Sequence, residues 1–386
     1  RYGGSPMESR PKVLFVNPAP NVFGAEASML RLIGAGGMDA AVAAPTGGSL
    51  ERELATRGLT FFPLEVATRP AWKNPLPHLR FFFRLVGILR HFRPDALVVN
   101  LDGHTPLVVA AAQLLRMPVI RFCRFEFTPP ARALERWAWR HCNAVVCPSE
   151  TVKAQFVAWA PQPLADATAA LYDSCDIGAR DEAGASAFRR EFALEDAELA
   201  GYFGRLDPAK DIPCAIRATA RLAAKRPALR LVIAGGSADA KSAAERRKLE
   251  RLADELGVAD RIVFTGYLAR EKVPGAMAAL SILVLPSRSE SFGTVLAEAW
   301  NLGIPTIAAD AGACRETTLA SGGGLLHPPG DDEALADAME QLLADRLLRE
   351  RLGRAGMEWT QANCDAKSRS ERFRAVLARA IEGRNP

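Results

Sequence analysis

The chain of 386 residues is longer than a single hydrophobic core usually serves, so two domains of comparable size are expected. Its 49% hydrophobic and 24% charged residues are the composition of a folded globular protein and exclude a disordered or fibrous one. A net charge of +5 suits anionic ligands or an anionic membrane surface, but it is too mild and too scattered for a nucleic-acid partner.

Short apolar or β-branched runs recur from the start, at Lys12 to Asn17, Ala40 to Ala44, Leu59 to Pro63, Asp95 to Asn100, Pro118 to Cys123 and Asn143 to Cys147, with helical stretches between them. Near-continuous apolar strands alternating with helices are the pattern of a parallel sheet covered on both faces. The stretch Leu79 to Arg93 carries a narrow basic stripe through Arg80, Arg84 and His91 on a largely apolar surface. It reads either as a buried crossover helix with basic ends or as a helix resting on an anionic membrane. From Leu171 to Ser186 the pattern weakens into small and polar residues, the mark of an interdomain linker. The rhythm resumes with Leu199 to Phe203, Leu229 to Ala234, Arg261 to Thr265, Ile282 to Leu285 and Pro305 to Ala309, separated by helices such as Ile212 to Ala224 and Lys241 to Leu256. Ala366 to Arg384 is helical by period. The expectation is an α/β chain of two doubly wound Rossmann-like domains, 7–172 and 177–365, facing a cleft, with 366–386 as a C-terminal helix able to pack back on the first domain.

Seven cysteines, at Cys123, Cys142, Cys147, Cys175, Cys214, Cys314 and Cys364, form no C-x-x-C pair and no zinc spacing, and their odd number points to a reducing compartment. Arg1 to Pro6 ahead of Met7 read as an expression scar, and the apolar run Val13 to Val16 is too short for a signal peptide. No run reaches the roughly 20 apolar residues of a spanning helix. A cytoplasmic protein is expected, with peripheral contact at the inner face of the cell membrane as an option. No G-x-G-x-x-G follows a strand: Gly34-Ala35-Gly36-Gly37 comes after a helix, and Ala234-Gly235-Gly236-Ser237 lacks the third glycine. No Walker loop is present, and no two aspartates stand two apart, so the D-x-D pair that holds a metal in many sugar transferases is missing. A bound diphosphate must then be neutralised by protein groups, and neither a metal nor an organic cofactor is expected.

The strongest local signal is Ser289-Glu290-Ser291-Phe292-Gly293-Thr294-Val295-Leu296-Ala297-Glu298-Ala299, between the strand ending at Leu285 and a helix ending near Gly303. A helix start rich in Ser and Gly leaves outward N–H groups that, with the helix dipole, suit a phosphate. Glu290 and Glu298 can accept hydrogen bonds from sugar hydroxyls at opposite ends of one extended ligand. Alone, this spacing is more simply a capped helix with Glu298 in ordinary solvent contact, since two glutamates at a spacing are common by chance. Gly204-Arg205-Leu206-Asp207-Pro208-Ala209-Lys210-Asp211 follows the first strand of the second domain and places two cations where open α/β sheets bind ligands. Arg205 suits a bidentate grip on a diphosphate, and Lys210 adds a point charge. Asp102-Gly103-His104 follows a strand of the first domain, and a lone histidine there is either a packed structural group or an acceptor-side residue. Glu26, near a helix start, complements the helix dipole or touches substrate.

At these residues the chain resembles glycosyltransferase family 4, the retaining enzymes of GT-B fold. The resemblance covers almost the whole chain: Phe23-Gly24-Ala25-Glu26, Tyr172-Asp173-Ser174-Cys175-Asp176, Gly204 to Lys210, Val263-Phe264-Thr265-Gly266-Tyr267, Glu290 to Glu298 and Gly303-Ile304-Pro305-Thr306. It implies that Arg205 and Lys210 bind the donor diphosphate, that Glu290 contacts the donor sugar and that Glu298 holds the ribose. Gly24, Gly204, Tyr267, Ser291, Phe292, Gly293, Thr294 and Val295 complete the implied donor site. The implied reaction moves a sugar from a nucleotide-diphosphate donor to a hydroxyl of a saccharide or lipid-linked acceptor, in polysaccharide or glycoconjugate assembly, with retention and without a metal.

Three positions depart from the family pattern. Phe23 replaces the first of two glycines, Asp173-Ser174 stands for Asn-Gly, and Arg124 stands where many relatives carry a histidine beside the reacting sugar. An arginine cannot serve as a general base at neutral pH. Because Arg124 and His104 both follow strands of the first domain while the donor motifs cluster in the second, they are assigned to the acceptor side, with Arg124 either fixing an anionic acceptor, helping to neutralise the donor phosphate, or standing as a plain surface residue. Two rival readings remain: a GT-B nucleotide-sugar epimerase, which needs no acceptor, and a nucleotide-sugar binding subunit without turnover.

Overall fold

The computed structural model describes residues 10–66, 74–175, 177–236 and 240–383. The opening around Met7, together with Asp176, Ser237 and Arg384 named above, lies outside the described residues. The chain divides into two compact units, Arg1–Ser174 with Ala366–Pro386, and Cys175–Asp365.

The first unit is built on seven parallel strands: β1 Lys12–Val16, β2 Asp39–Ala44, β3 Thr60–Pro63, β4 Ala96–Val99, β5 Val119–Phe122, β6 Ala144–Cys147 and β7 Thr168–Ala170. Their order is β3-β2-β1-β4-β5-β6-β7. Alternation along each strand feeds two cores, one per face. Leu14, Val16 and Val119 pack on one side with Phe81, Leu85 and Trp139, whereas Val13, Phe15, Ile120 and Phe122 pack on the other with Met29 and Phe373. Phe373 belongs to the helix Ala366–Glu382. Its ring, fully buried, lies 5.6 Å from that of Phe122 and 6.4 Å from that of Phe15, so the last helix of the chain is part of the first unit's core.

The second unit carries six parallel strands: β8 Glu198–Phe203, β9 Leu229–Ala234, β10 Ile262–Gly266, β11 Ile282–Leu285, β12 Thr306–Ala309 and β13 Gly324–His327, in the order β10-β9-β8-β11-β12-β13. Both sheets reverse their strand order beside the first strand of the unit, between β1 and β4 and between β8 and β11. Such switch points open a crevice at the C-terminal ends of the strands, which is where ligands bind in this architecture.

The structure adds two short edge strands to those expected, β7 and β13, and shortens the linker. The chain passes between units at Ser174/Cys175 and at Asp365/Ala366. A helix, Glu182–Glu191, already occupies the second half of the stretch expected to be irregular. Asp181 starts it by accepting from the Gly184 N–H at 2.8 Å. The small residues there serve packing: a Cβ on Gly275 would lie 2.7 Å from the backbone of Gly184, so two helices meet backbone to backbone.

Phe373→Ala should cost about 3–5 kcal/mol of first-unit stability, the usual range for emptying a buried phenylalanine site. Hydrogen exchange at the amides of β1 and β5 reads it, and unaltered protection there would remove the last helix from the core.

Candidate functional site

In the second unit the loops after β8 and β11 leave the switch point side by side. Gly204 follows β8, and a Cβ on Gly235, whose φ is +139°, would lie 1.8 Å from the Gly204 carbonyl oxygen. Only glycine permits this approach. Buried Tyr202 donates its hydroxyl to the Arg205 carbonyl at 2.7 Å, and burial, then the nearby Glu290, push the phenol well above its usual range, so it stays a protonated donor. The Arg205 backbone is thereby fixed while its guanidinium projects outward, 69% exposed, with the Asp207 carboxylate 3.6 Å away.

Asp207 caps the short turn Pro208–Lys210 by accepting from the Ala209 N–H at 3.0 Å. The turn aims Lys210 across to the β11 loop, where its Nζ donates to Glu290 Oε1 at 2.5 Å. Both side chains are mostly buried, 18% and 14% exposed, so the pair is screened far less than a surface one. Sequence reasoning missed Arg288, which joins the two loops twice. Its N–H donates to the Ala209 carbonyl at 3.0 Å and its Nε to Asp211 at 2.9 Å. No local signal marks it, because its partners lie nearly eighty residues earlier.

Glu290 is anchored through its own carbonyl, which accepts from Ala313 N–H at 2.9 Å. Phe292 is buried beneath the loop, Ser291 is half-buried, and Gly293 turns the chain at φ +80° into the helix Thr294–Asn301. The first-turn N–H groups of Thr294 and Val295 have no acceptor within the helix, as at any helix start. Thr294 and Glu298 are four apart, hence on one face, and both are half-buried beside the buried Leu296, Ala297, Ala299 and Trp300. The structure thus gathers Arg205, Lys210, Glu290 and the start of this helix. Tyr267 is 78% exposed just beyond β10, and two strands, β9 and β8, lie between it and β11.

In the first unit the loops after β1, β4 and β5 converge in the same way. Gly24 opens the helix Gly24–Gly34, and a Cβ there would meet nothing within 4 Å, so no protein contact requires glycine at this position. Glu26 is buried and accepts from the Phe23 N–H at 3.0 Å, a capping role. Arg124 is buried as well. It donates from Nη2 to Asn100 Oδ1 at 2.5 Å and from Nη1 to Ser28 Oγ at 2.9 Å, and its Nη1 lies 3.4 Å from Asp173. Burial lowers its guanidinium to about 10 against the opposing pull of Asp173, so it is charged at neutral pH. Arg369 of the last helix donates to the same Asp173 oxygen at 2.7 Å. Burial alone would raise Asp173, but Arg369 and Arg124 hold it below the usual carboxylate range.

His104 sits at φ +52° ahead of the helix Thr105–Leu114. Its ring packs against those of His78 and Phe81, each centroid 4.9 Å away. Burial, then the neighbouring His78, lower its pKa, so the ring is neutral at pH 7 and packing accounts for its place. The helix Leu76–Phe92 buries Phe81, Leu85, Val86, Ile88 and Leu89, but it leaves Leu76, Leu79 and Phe83 exposed beside Arg80, Arg84 and Arg90. Among the described residues no helix is long and apolar enough to cross a membrane, and no cluster of three or more His, Cys, Asp or Glu side chains is placed to hold a metal.

Comparison with known proteins agrees with this layout. The family model for glycosyl transferases group 1 matches residues 185–359, and the glycosyl transferase 4-like domain matches residues 26–165. The alpha-D-kanosaminyltransferase of Streptomyces kanamyceticus is 30% identical over 64% of this chain and 64% of its own length. The 2-deoxystreptamine glucosyltransferase of the same organism is 29% identical over 71% of this chain and 74% of its own. The solved structure of Anabaena HepE in complex with UDP and glucose superimposes with a TM-score of 0.83 at 20% identity, covering 96% of this chain and all of that one, which establishes the GT-B fold. With one glycosyltransferase family model on each unit, the chain belongs to glycosyltransferase family 4.

Proposed function

We propose that the protein is a retaining, metal-independent glycosyltransferase that moves a sugar from a nucleotide-diphosphate donor to a hydroxyl of a saccharide or lipid-linked acceptor. The observation that carries this reading is the Lys210–Glu290 pair at the switch point of the second sheet, flanked by the projecting Arg205 and the start of the helix Thr294–Asn301. Together they offer two cations and free N–H groups to a diphosphate, and a carboxylate to the hydroxyls of the sugar it carries. HepE was solved with UDP and glucose, so UDP-glucose is the first donor to try.

The acceptor hydroxyl attacks the anomeric carbon from the face the diphosphate leaves. The bond from that carbon to the phosphate oxygen breaks as the new glycosidic bond forms, and the departing phosphate oxygen takes the hydroxyl proton. The protein positions the partners and stabilises the growing phosphate charge through Arg205, Lys210 and the helix N–H groups. Lys210 reaches the donor already paired, so diphosphate binding draws on a cation whose neighbour, Glu290, is then freed to accept from the sugar. Arg124 is a positioning residue here, since its guanidinium is charged and held by Asn100, Ser28 and Asp173. Retention rests on the family resemblance. Metal independence is supported by the two cations that replace a missing D-x-D pair.

Glu290→Gln should lower turnover about 100-fold with little change in donor KM, whereas Glu298→Gln should raise donor KM about 10-fold, the worth of one charge-assisted hydrogen bond to a ribose. Equal turnover losses with unchanged KM would refute the division of labour, and release of a free altered sugar would favour epimerisation.

Transfer should continue in excess EDTA and give a product with the donor's anomeric configuration by proton NMR. A rate abolished by EDTA and restored by magnesium or manganese, or an inverted product, would remove the corresponding half of the proposal.

The exposed apolar face of Leu76, Leu79 and Phe83, with Arg80, Arg84 and Arg90 beside it and no acidic residue in the helix, supports peripheral contact with an anionic membrane. The full chain should sediment with phosphatidylglycerol vesicles at low salt, and Phe83→Ser should weaken this at least about threefold, in line with the loss of buried apolar area. Failure of the wild-type chain to sediment ends the membrane reading.

A further inference from the structure

A cavity of about 250 Å³ lies in the first unit, at the C-terminal end of β5. Its floor is Arg121, 1% exposed, whose guanidinium carbon sits 3.4 Å from the centroid of the Trp139 ring. One nitrogen of this buried group, Nη2, donates to the Asp102 carboxylate. The N–H groups at Nε and Nη1 have no acceptor among the described residues. A buried donor left unmet costs about 1–3 kcal/mol, more on a charged group, so this arrangement calls for an acceptor inside the cavity.

Glu135 borders the same space from the first turn of the helix Ala133–Arg140. It is half-buried and makes no hydrogen bond or ion pair with the described residues. Unmet buried donors and a half-exposed carboxylate with no hydrogen bond therefore border one cavity, and the charge of Glu135 acts favourably on the Arg121 guanidinium. Charge decides what fits between them. Three carboxylates, Asp102, Glu126 and Glu135, border the space against two guanidiniums, and that of Arg124 is already committed to Asp173. No surplus positive charge remains to hold an anion. A hydroxyl group both accepts and donates, and adjacent hydroxyls on a ring do so in different directions. The volume falls below the roughly 300–1,000 Å³ of common ligand pockets, which favours a single ring over an extended chain.

We infer that this cavity holds one polyhydroxylated six-membered ring, a pyranoside or a cyclitol, with one hydroxyl accepting from Arg121 and a neighbouring hydroxyl donating to Glu135. Its role as the acceptor subsite rests on the glycosyltransferase reading, whereas the binding of the ring does not. The ring lies against the Trp139 and Phe127 side of the cavity, and Thr128 stands exposed at the rim.

Calorimetry on the full chain with methyl α-D-glucopyranoside, myo-inositol, 2-deoxystreptamine and, as a counter-probe, inorganic phosphate tests the inference. At least one ring should bind. Glu135→Ala should weaken it at least about tenfold, and Thr128→Trp, which fills the mouth from an exposed position, should abolish it. Both variants should keep the wild-type thermal stabilisation by UDP, which reports on folding and on the second unit. The inference is overturned if no ring binds, if phosphate binds more tightly than every ring, or if ring binding survives both substitutions. If a ring binds and is lost in the variants, yet no nucleotide sugar supports transfer, the cavity stands and the transferase reading falls. Transfer with an unaltered acceptor KM in both variants would retain the enzyme and discard the subsite.

Discussion

Asp173 is the constraint on which the first unit depends. Its carboxylate is enclosed by Arg124 from the end of β5, Arg369 from the last helix and Ser28 from the first helix, which donates to it at 2.6 Å. Arg124 also reaches Asn100 after β4, and Asn100 donates in turn to Asn17 after β1 at 2.9 Å. One buried charge thus gathers the ends of three adjacent strands and two helices, immediately before the chain leaves the unit at Ser174. Removing one member of such a cluster strands the others as buried ions, at a cost of about 3–5 kcal/mol. An arginine at position 124 can bridge Asn100, Ser28 and Asp173 at once, which accounts for its place in this cluster. Its hydrogen bonds to Asn100 and Ser28, with the ion pair to Asp173, fix the loops around it.

The second unit uses the same geometry differently. There the ion pair at the switch point, Lys210 with Glu290, joins two loops without a second cation enclosing the carboxylate. Arg288 and Asp211 join the same two loops by a second ion pair at 2.9 Å, with Asp211 held at φ +46°. The two loops are therefore joined by two separate ion pairs, and the Arg288–Asp211 pair does not depend on Lys210. In the first unit no such separation exists around Asp173, and unmet hydrogen-bonding capacity appears instead at Arg121.

Most of the fold was legible because its strands are continuous apolar runs in a strict β-helix alternation, as at Val13 to Val16 or Ile282 to Leu285. The two strands missed are short and at sheet edges. Thr168–Ala170 has three residues of small side chain, and Gly324–His327 opens with glycine, so neither offers a periodic signal. The helix Glu182–Glu191 was concealed by its Ala and Gly content, which reads as a linker until its partner helix is seen. The grouping of Arg205, Lys210, Glu290 and a helix start at the ends of strands of the second sheet was legible because glycine, charge and a helix start follow apolar runs in sequence. The role of Arg121 was not, since a charged residue within Val-Ile-Arg-Phe gains meaning only from Trp139, Asp102 and Glu135, all brought to it by tertiary structure. His104 was visible as a residue, but not its stacking on a helix some twenty-five residues earlier.

The discontinuity of the first unit bears on how the protein is made. A chain emerging from the ribosome presents residues 1–174 long before Phe373, so the sheet that Phe15 and Phe122 belong to waits with one face incompletely covered while the second unit is synthesised. The second unit, continuous from Cys175 to Asp365, can complete its core first, against the usual order in which N-terminal domains fold earliest. During that interval part of an apolar face stays uncovered, and it closes only when the helix Ala366–Glu382 arrives.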